Sequence, residues 1–282
     1  MIDRRRVPPR KVPQPGLPGK PSILRRMAER YNLGGWSEDR WRELRATAYG
    51  MCARVDHHFG MVAGALRDTG AYDDTAVFFF SDHGDYLGDY DVVDINQNTF
   101  EDSLVRVPLV VKPPASVPVV PRVCDALVEL VDVQATVLAL ADIEPGYSHF
   151  GRSLLPVVAG ETEDHRDAVF AEGGRLHGET HCMELESAAS HDPESPYWPR
   201  VGLYPSEGPE HTKAVSCRTR EYKYVRRLYE SDEFYDLRSD PDELSNRIDD
   251  GDCREAIAMM KERMLTFFLE TSDVVPHETD KR

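Results

Sequence analysis

The chain has 282 residues, and its 50 acidic side chains outnumber its 34 Lys and Arg, giving a formal net charge of −16. An acidic surface repels phosphate groups, so this balance disfavours a nucleic-acid partner. No apolar run approaches the roughly 20 residues that a transmembrane helix requires, so we expect a folded chain without a membrane span.

The five cysteines are spread along the chain and their number is odd. This spacing favours free thiols over a disulfide framework or a zinc finger. They are Cys52, Cys124, Cys182, Cys217 and Cys253. No apolar segment follows the basic start, so no secretory signal is recognised. As encoded, the chain is that of a cytoplasmic protein, and the native localisation stays open.

Residues 1–21 hold six prolines, six basic residues and one acidic residue, for a local charge of +5. Proline at this density excludes a helix or a central strand. A basic arm that binds nucleic acid is one interpretation. No aromatic residue is interleaved with the charges, and this favours an extended stretch that crosses a protein surface.

The next elements are typical of an α/β arrangement. Apolar residues spaced by three and four predict a helix over 37–68, with Ser37 as its N-cap and with His57 and His58 in structural positions. The continuous apolar run 76–80 predicts a strand buried on both faces, and hence a parallel sheet. A second strand over 107–111 and a helix over 122–141 follow. These elements place residues 1–165 in one α/β domain.

After residue 165 the pattern changes to short, closely spaced strands. They are predicted over 168–172, 213–219, 222–229 and 233–237, and a final helix over 253–270. A small antiparallel sheet covered by a helix is therefore expected, as an α+β subdomain over 166–282. Residues 187–211 form a predicted long loop, for which a surface insertion is favoured over a substrate lid.

The densest site candidate is the motif SDHGD at 81–85, directly after the predicted strand 76–80. Ligands of open parallel sheets bind beyond the carboxyl ends of the strands. Asp82 offers a hard oxygen ligand and His83 a ring nitrogen, which suits calcium, magnesium or manganese. The motif by itself favours the alternative, a polar turn capped by the aspartate.

The surrounding motifs change that balance. SDHGDYLGD at 81–89 is followed by NTFEDSLVRVPLV at 98–110, and later by GRSL at 151–154, RTREYKY at 218–224 and DPDELSN at 240–246. This ordered series resembles the sulfatase family of the alkaline phosphatase superfamily from about residue 20 onward. The resemblance implies a partial alkaline-phosphatase-like sheet flanked by helices, and a sulfate-ester substrate, either a small molecule or a glycan.

The resemblance also implies roles for individual residues. Asp82 and His83 match the second pair of metal ligands, for a weakly bound divalent metal that calcium fits best and magnesium or manganese could replace. Glu101 and Arg106 match a structural element beside the site and are expected to form an ion pair. Asp85 and Asp89 are expected to be loop carboxylates rather than ligands.

The chain departs from the family pattern in three ways. No cysteine or serine lies in the motif that is converted to the formylglycine nucleophile, so no catalytic residue is assigned. The family's first pair of metal-binding aspartates has no counterpart, and Ile95 stands where the family has a sulfate-contacting lysine.

These departures lead to several expectations. We expect that the chain corresponds to the C-terminal half of a sulfatase, truncated and inactive alone, with an N-terminal half in trans as a possible partner. The alternatives are a non-catalytic remnant that keeps a partial metal site, or half of a related phosphodiesterase or phosphonate hydrolase.

Overall fold

The computed structural model describes residues 2–179, 192–203 and 208–274. The helices are α1 (Ser22–Arg30), α2 (Glu38–Asp68), α3 (Asp102–Val105), α4 (Val131–Leu140), α5 (Leu155–Val158), α6 (Trp198–Val201) and α7 (Arg254–Thr271). The strands are β1 (Val77–Phe80), β2 (Leu109–Lys112), β3 (Val169–Gly173), β4 (Ala214–Arg218), β5 (Tyr222–Arg227) and β6 (Glu233–Asp236). The predicted mixed α/β fold is confirmed.

Some predictions fall outside the described residues. Cys182 lies there, as do the parts 187–191 and 204–207 of the predicted long loop, whereas α6 occupies part of the remainder. The four cysteines of the described ranges are free thiols, as predicted. None of the helices in those ranges combines the length and apolar character that crossing a membrane would take.

The proline-rich arm lies along the surface of the chain itself. The Arg10 guanidinium bonds to Glu38 Oε1 at 2.5 Å and lies 5.0 Å from the centre of the Trp41 ring. The backbone N–H of Lys11 donates to Asp89 Oδ1 at 2.9 Å. These contacts attach the arm to the start of α2 and to the loop that follows β1.

The predicted long helix is confirmed, and Ser37 caps it by accepting a hydrogen bond from the backbone N–H of Arg40. Its predicted apolar stripe is buried only near the start, at residues such as Trp41 and Ala48. Further along the helix, Met51 and Val62 are exposed. The first third of α2 is therefore packed. Its apolar continuation is largely uncovered, apart from half-buried residues such as Phe59, whose ring lies 5.0 Å from that of Phe79 in β1.

The predicted parallel, doubly buried sheet is wrong for the described part of the chain. There β1 pairs only with β2, in antiparallel register with Phe79 opposite Val110. Phe80 and Val110 are exposed on opposite faces of this two-stranded sheet, because neighbouring residues of a strand point to opposite sides. Both strands thus keep the apolar run of a central strand without the layers that would cover it.

The predicted helix over 122–141 is only half right, because α4 begins at Val131. The preceding residues run beside the edge of β3 instead. Leu127 bridges to Arg166, and Glu129 Oε1 accepts a hydrogen bond from the backbone N–H of Phe170 at 2.7 Å. Tertiary pairing with β3 therefore holds this segment extended against its helical pattern.

The predicted antiparallel sheet with a covering helix is confirmed. The four strands follow one another in the order β3-β4-β5-β6, all antiparallel. Helix α7 packs Ile257, Met260 and Met264 against a sheet face that includes Tyr224 and Phe234. This is one of three buried apolar clusters within the described ranges. A second lies around α1 and Tyr86, and a small third one around Phe100.

Candidate metal centre

Asp82 and His83 follow the last residue of β1 and are exposed, with 85% of the Asp82 and 51% of the His83 side chain accessible. Asp82 Oδ2 lies 3.7 Å from His83 Nε2. His83 Nδ1 lies 2.8 Å from the carbonyl oxygen of Gly84. Because that carbonyl can only accept, Nδ1 carries a hydrogen, and Nε2 is the ring nitrogen that remains for a metal. One oxygen and one nitrogen donor therefore face the same point.

The charge of Asp82 suits a cation. The backbone N–H of His83 donates to Asp82 Oδ1 at 3.0 Å, and this bond is the main cause of a lowered Asp82 pKa, followed by the charge of His83. The carboxyl group is therefore ionised at neutral pH and needs no metal to become so. The donor pair fits two positions in the shell of a divalent cation.

Within the ranges that the structure describes, no other His, Cys, Asp or Glu joins this pair in a group of three. The two nearby aspartates have other partners, as expected of loop carboxylates. Asp85 accepts a hydrogen bond from the backbone N–H of Leu87, and Asp89 is buried against Arg45 at 3.0 Å. The described part of the chain thus offers two protein ligands to a metal.

The turn that carries the pair is fastened to α3. The backbone N–H of Gly84 donates to the Leu104 carbonyl oxygen at 2.7 Å. A Cβ atom at Gly84 would lie 2.0 Å from the carbonyl oxygen of Ser103, so only glycine allows this approach. The position of Asp82 and His83 therefore depends on the position of α3.

Buried charges hold the start of α3, and the predicted ion pair between Glu101 and Arg106 is wrong. Glu101 bonds instead to Lys20 Nζ at 3.0 Å and accepts from the Tyr86 hydroxyl at 2.7 Å. Arg106 is exposed. Burial of Glu101 opposes its ionisation, but the charge of Lys20 and the hydrogen bonds from Tyr86 and Lys20 together outweigh burial and lower the Glu101 pKa to about 2. A lysine from the proline-rich arm neutralises the carboxylate that precedes α3.

A second pair of contacts reaches α3 from the C-terminal sheet. Lys223 of β5 is buried and bonds to Asp102 Oδ1 at 2.7 Å and to Glu243. Glu243 Oε2 also accepts a hydrogen bond from the backbone N–H of Asp102 at 2.7 Å, at the first turn of α3. The C-terminal sheet thereby positions α3, and through it the turn of Asp82 and His83.

Sequence reasoning did not find Lys20 or Lys223. The proline-rich arm gives no sign that one of its lysines enters the interior. Lys223 did carry a signal, because it stands between Tyr222 and Tyr224 in a predicted strand. A lysine that is buried in a strand requires carboxylate partners.

Ile95 lies on the far side of the same loop, where it is half-buried and packs against the α1 cluster. Its neighbour Asp94 accepts hydrogen bonds from the Tyr31 hydroxyl at 2.5 Å and from Arg200 Nε at 2.9 Å. The loop that carries Ile95 is therefore anchored by apolar packing and by an aspartate.

Comparisons with known proteins agree with this picture. A family model described as Sulfatase matches residues 19–143. The multifunctional alkaline phosphatase superfamily protein PehA of Trinickia caryophylli is 28% identical over 233 residues, which are 82% of this chain and 41% of PehA. Arylsulfatase K of Danio rerio is 36% identical over 133 residues, 45% of this chain and 23% of that protein.

A solved structure extends the likeness to the fold. The phosphonate monoester hydrolase of Agrobacterium radiobacter is similar with a TM-score of 0.65 and 26% identity, over 84% of this chain and 43% of that one. The chain is therefore similar in sequence to a protein named for the alkaline phosphatase superfamily and in fold to a phosphonate monoester hydrolase. Residues 19–143 are the part that matches the sulfatase family model. The chain spans about two fifths of PehA and of the solved hydrolase.

Proposed function

We propose that the chain is part of a sulfatase-type hydrolase that cleaves sulfate esters of small molecules or glycans. The observation that carries the proposal is the convergence of Asp82 and His83 after β1, inside the segment that matches the sulfatase family. Similarity to a protein named arylsulfatase K supports the sulfate ester as the substrate class.

Asp82 would supply an ionised oxygen and His83 a nitrogen lone pair to a divalent cation. When bound, the cation would stabilise negative charge on the oxygens of the transferred group. The carboxylate suits calcium, and the imidazole also admits manganese. Because two protein ligands leave most of the shell to water, we expect weak binding by these 282 residues. Calorimetry with submicromolar affinity that disappears in Asp82→Ala would contradict this.

The nucleophile and the remaining ligands would come from sulfatase sequence outside these 282 residues, either in a longer polypeptide or from a separate half in trans. None of the five cysteines lies in a maturation motif, and neither does any serine. A covalent mechanism without its nucleophile loses most of its rate. The 282 residues alone are therefore proposed to be inactive.

Phosphonate monoester hydrolysis is the second candidate. It is favoured by the similarity to the Agrobacterium radiobacter hydrolase, which exceeds 25% identity and covers most of this chain. Both reactions place negative oxygens beside a cation, so Asp82 and His83 would have the same role. Parallel assays with 4-nitrophenyl sulfate and a phenylphosphonate monoester distinguish the two.

The test uses the 282-residue chain alone and the chain co-expressed with the part of PehA that it does not match. With calcium and a formylglycine-generating enzyme, the chain alone should show no hydrolysis of 4-nitrophenyl sulfate above background. The co-expressed pair should hydrolyse it, with a loss of at least about 100-fold in Asp82→Ala or His83→Ala. The control Asp39→Ala removes an exposed carboxylate of α2 and should change nothing.

Turnover by the unaided chain that is lost in Asp82→Ala would contradict the assignment of the nucleophile to other residues. A folded pair without any turnover would favour the non-catalytic alternative. Ile95→Lys should restore no activity to the unaided chain, since it supplies no nucleophile. It should also lower stability, because the Ile95 side chain packs against the α1 cluster.

A further inference from the structure

An uncovered apolar region surrounds the two-stranded sheet. We name it the open region, and it consists of Met51, Val55 and Val62 of α2, Phe80 of β1 and Val110 of β2. Each of these side chains is between 45% and 62% exposed. Phe80 and Val110 point to opposite faces of the sheet, so the open region has exposed apolar residues on both of these faces as well as on α2. Exposed apolar groups of this kind are typical of surfaces that another chain segment covers.

The backbone of the same sheet is open as well. In the described part of the chain β1 and β2 pair only with each other, so each strand has one edge without a strand neighbour. A sheet of two strands is at best marginally stable in water. Unpaired edges bind further strands readily. The open region thus offers both apolar faces and strand edges.

The distribution of buried apolar residues also indicates that the open region lacks a covering layer. None of the three buried clusters in the described residues contains a residue of β1, β2 or the α2 segment beyond Met51.

We infer that the open region is the docking surface for the rest of a sulfatase fold, which adds strands to β1 or β2 and covers α2. The relatives supply the argument for this occupant, because PehA and the solved hydrolase contain more than as much chain again beyond the matched part. A second copy is a poorer occupant, since it would bring another charge of −16. The inference deepens the proposed function and rests on its sulfatase fold, but not on turnover.

The experiment measures binding rather than activity. The probe is the part of PehA that this chain does not match, co-expressed with the 282-residue chain. We expect a one-to-one complex by native mass spectrometry. Val110→Asp or Phe80→Asp should weaken it at least tenfold. The control Leu269→Asp changes an equally large, exposed apolar residue on α7, outside the open region, and should have no effect.

Hydrogen exchange supplies a second readout that does not depend on the variants. Amides of β1 and β2 should exchange rapidly in the chain alone, and at least tenfold more slowly in the complex. Strong protection of β1 and β2 in a monomeric chain alone would overturn the inference. So would a homodimer that Val110→Asp dissociates, or the lack of any complex with the probe. A complex that forms but hydrolyses no ester would leave the docking surface intact and contradict the proposed function only.

Discussion

Gly84 is the residue at which the backbone of the candidate metal turn touches α3. A side chain there must push the turn away from the Ser103 carbonyl oxygen, which a Cβ would approach to 2.0 Å. We expect Gly84→Ala to lower the free energy of unfolding by roughly 1–3 kcal/mol. It should also weaken manganese binding, because Asp82 and His83 move with the turn.

Gly50 is the matched control, because a Cβ there meets nothing within 4 Å and the residue lies inside α2. Gly50→Ala should raise the free energy of unfolding by up to about 1 kcal/mol through the better helix propensity of alanine. Urea denaturation measures both variants. Equal stability of Gly84→Ala and the parent chain would show that α3 does not constrain the turn.

At this scale the sequence indicated Asp82 and His83, whose side chains lie 3.7 Å apart, but it did not indicate what holds them in place. Asp82 and His83 are recognisable because the motif follows an apolar strand and contains a glycine. The contacts of Lys20 with Glu101 and of Lys223 with Asp102 join residues that are 81 and 121 positions apart. Local sequence patterns carry no information about such distant pairs. Arg106, which was predicted to pair with Glu101, is exposed instead.

Strand β5 contributes Lys223, which is buried with Glu243 and also bonds to Asp102. Lys223→Met should lower the free energy of unfolding by about 3–5 kcal/mol, because Glu243 would then lose its bonded counter-charge in the interior, whereas Asp102 keeps Arg218 at 3.1 Å. Burial raises the pKa of Glu243, so this carboxyl group is the one that most readily takes up a proton.

The double variant Lys223→Met with Glu243→Gln separates charge from packing. It neutralises Glu243, the carboxylate that Lys223→Met leaves without a bonded counter-charge, so it should be more stable than Lys223→Met alone. Thermal and urea unfolding of the three proteins test this ordering. A double variant less stable than the single one would mean that Glu243 stabilises α3 through its bond to the Asp102 backbone rather than through Lys223.

Among the elements, those with their own covering layer were predicted best. Strands β3 to β6 and helix α7 bury each other, so their periodicity and their environment agree. Helix α2 follows its predicted pattern over its whole length, yet its apolar stripe is largely uncovered from Met51 onward. Periodicity indicates which face of a helix can be buried, but it does not indicate which part of the helix is buried in the fold. The same holds for β1, whose apolar run predicted neighbours that the described residues do not provide.

The molecule as a whole should lose stability in acid. Burial disfavours the ionised forms of Glu101 and Asp102. Lys20 with Tyr86 outweighs burial at Glu101, Lys223 with Arg218 outweighs it at Asp102, and each pKa is lowered to about 2. Both folded values lie below the unfolded ones, so the stabilisation is complete above about pH 4.5 and is lost as the pH falls toward 2. For Glu101 the effect is on the order of 3 kcal/mol.

Urea unfolding at pH 5, 4 and 3 measures this loss. The double variant Lys20→Met with Glu101→Gln removes one of the two ion pairs, and its stability should fall less steeply with pH than that of the parent chain. The comparison is of slopes, so a lower absolute stability of the variant does not affect it. Equal slopes would show that Glu101 does not contribute to acid unfolding.

The contacts of the arm around Lys20 affect the order in which segments of the chain become structured during synthesis. Ser22 N–H donates to Glu230 at 3.0 Å, and Asn246 donates to the Gly19 carbonyl oxygen at 2.8 Å, across 208 and 227 positions. At about 5–20 residues per second, a ribosome needs roughly 10–40 s to make the intervening chain. During that time residues 19–22 have no partner from β5 or from the loops around Glu230 and Asn246. A segment synthesised early is thus among the last to be immobilised, and a nascent chain stopped before residue 230 would leave Lys20 and the base of α3 accessible to proteases and chaperones.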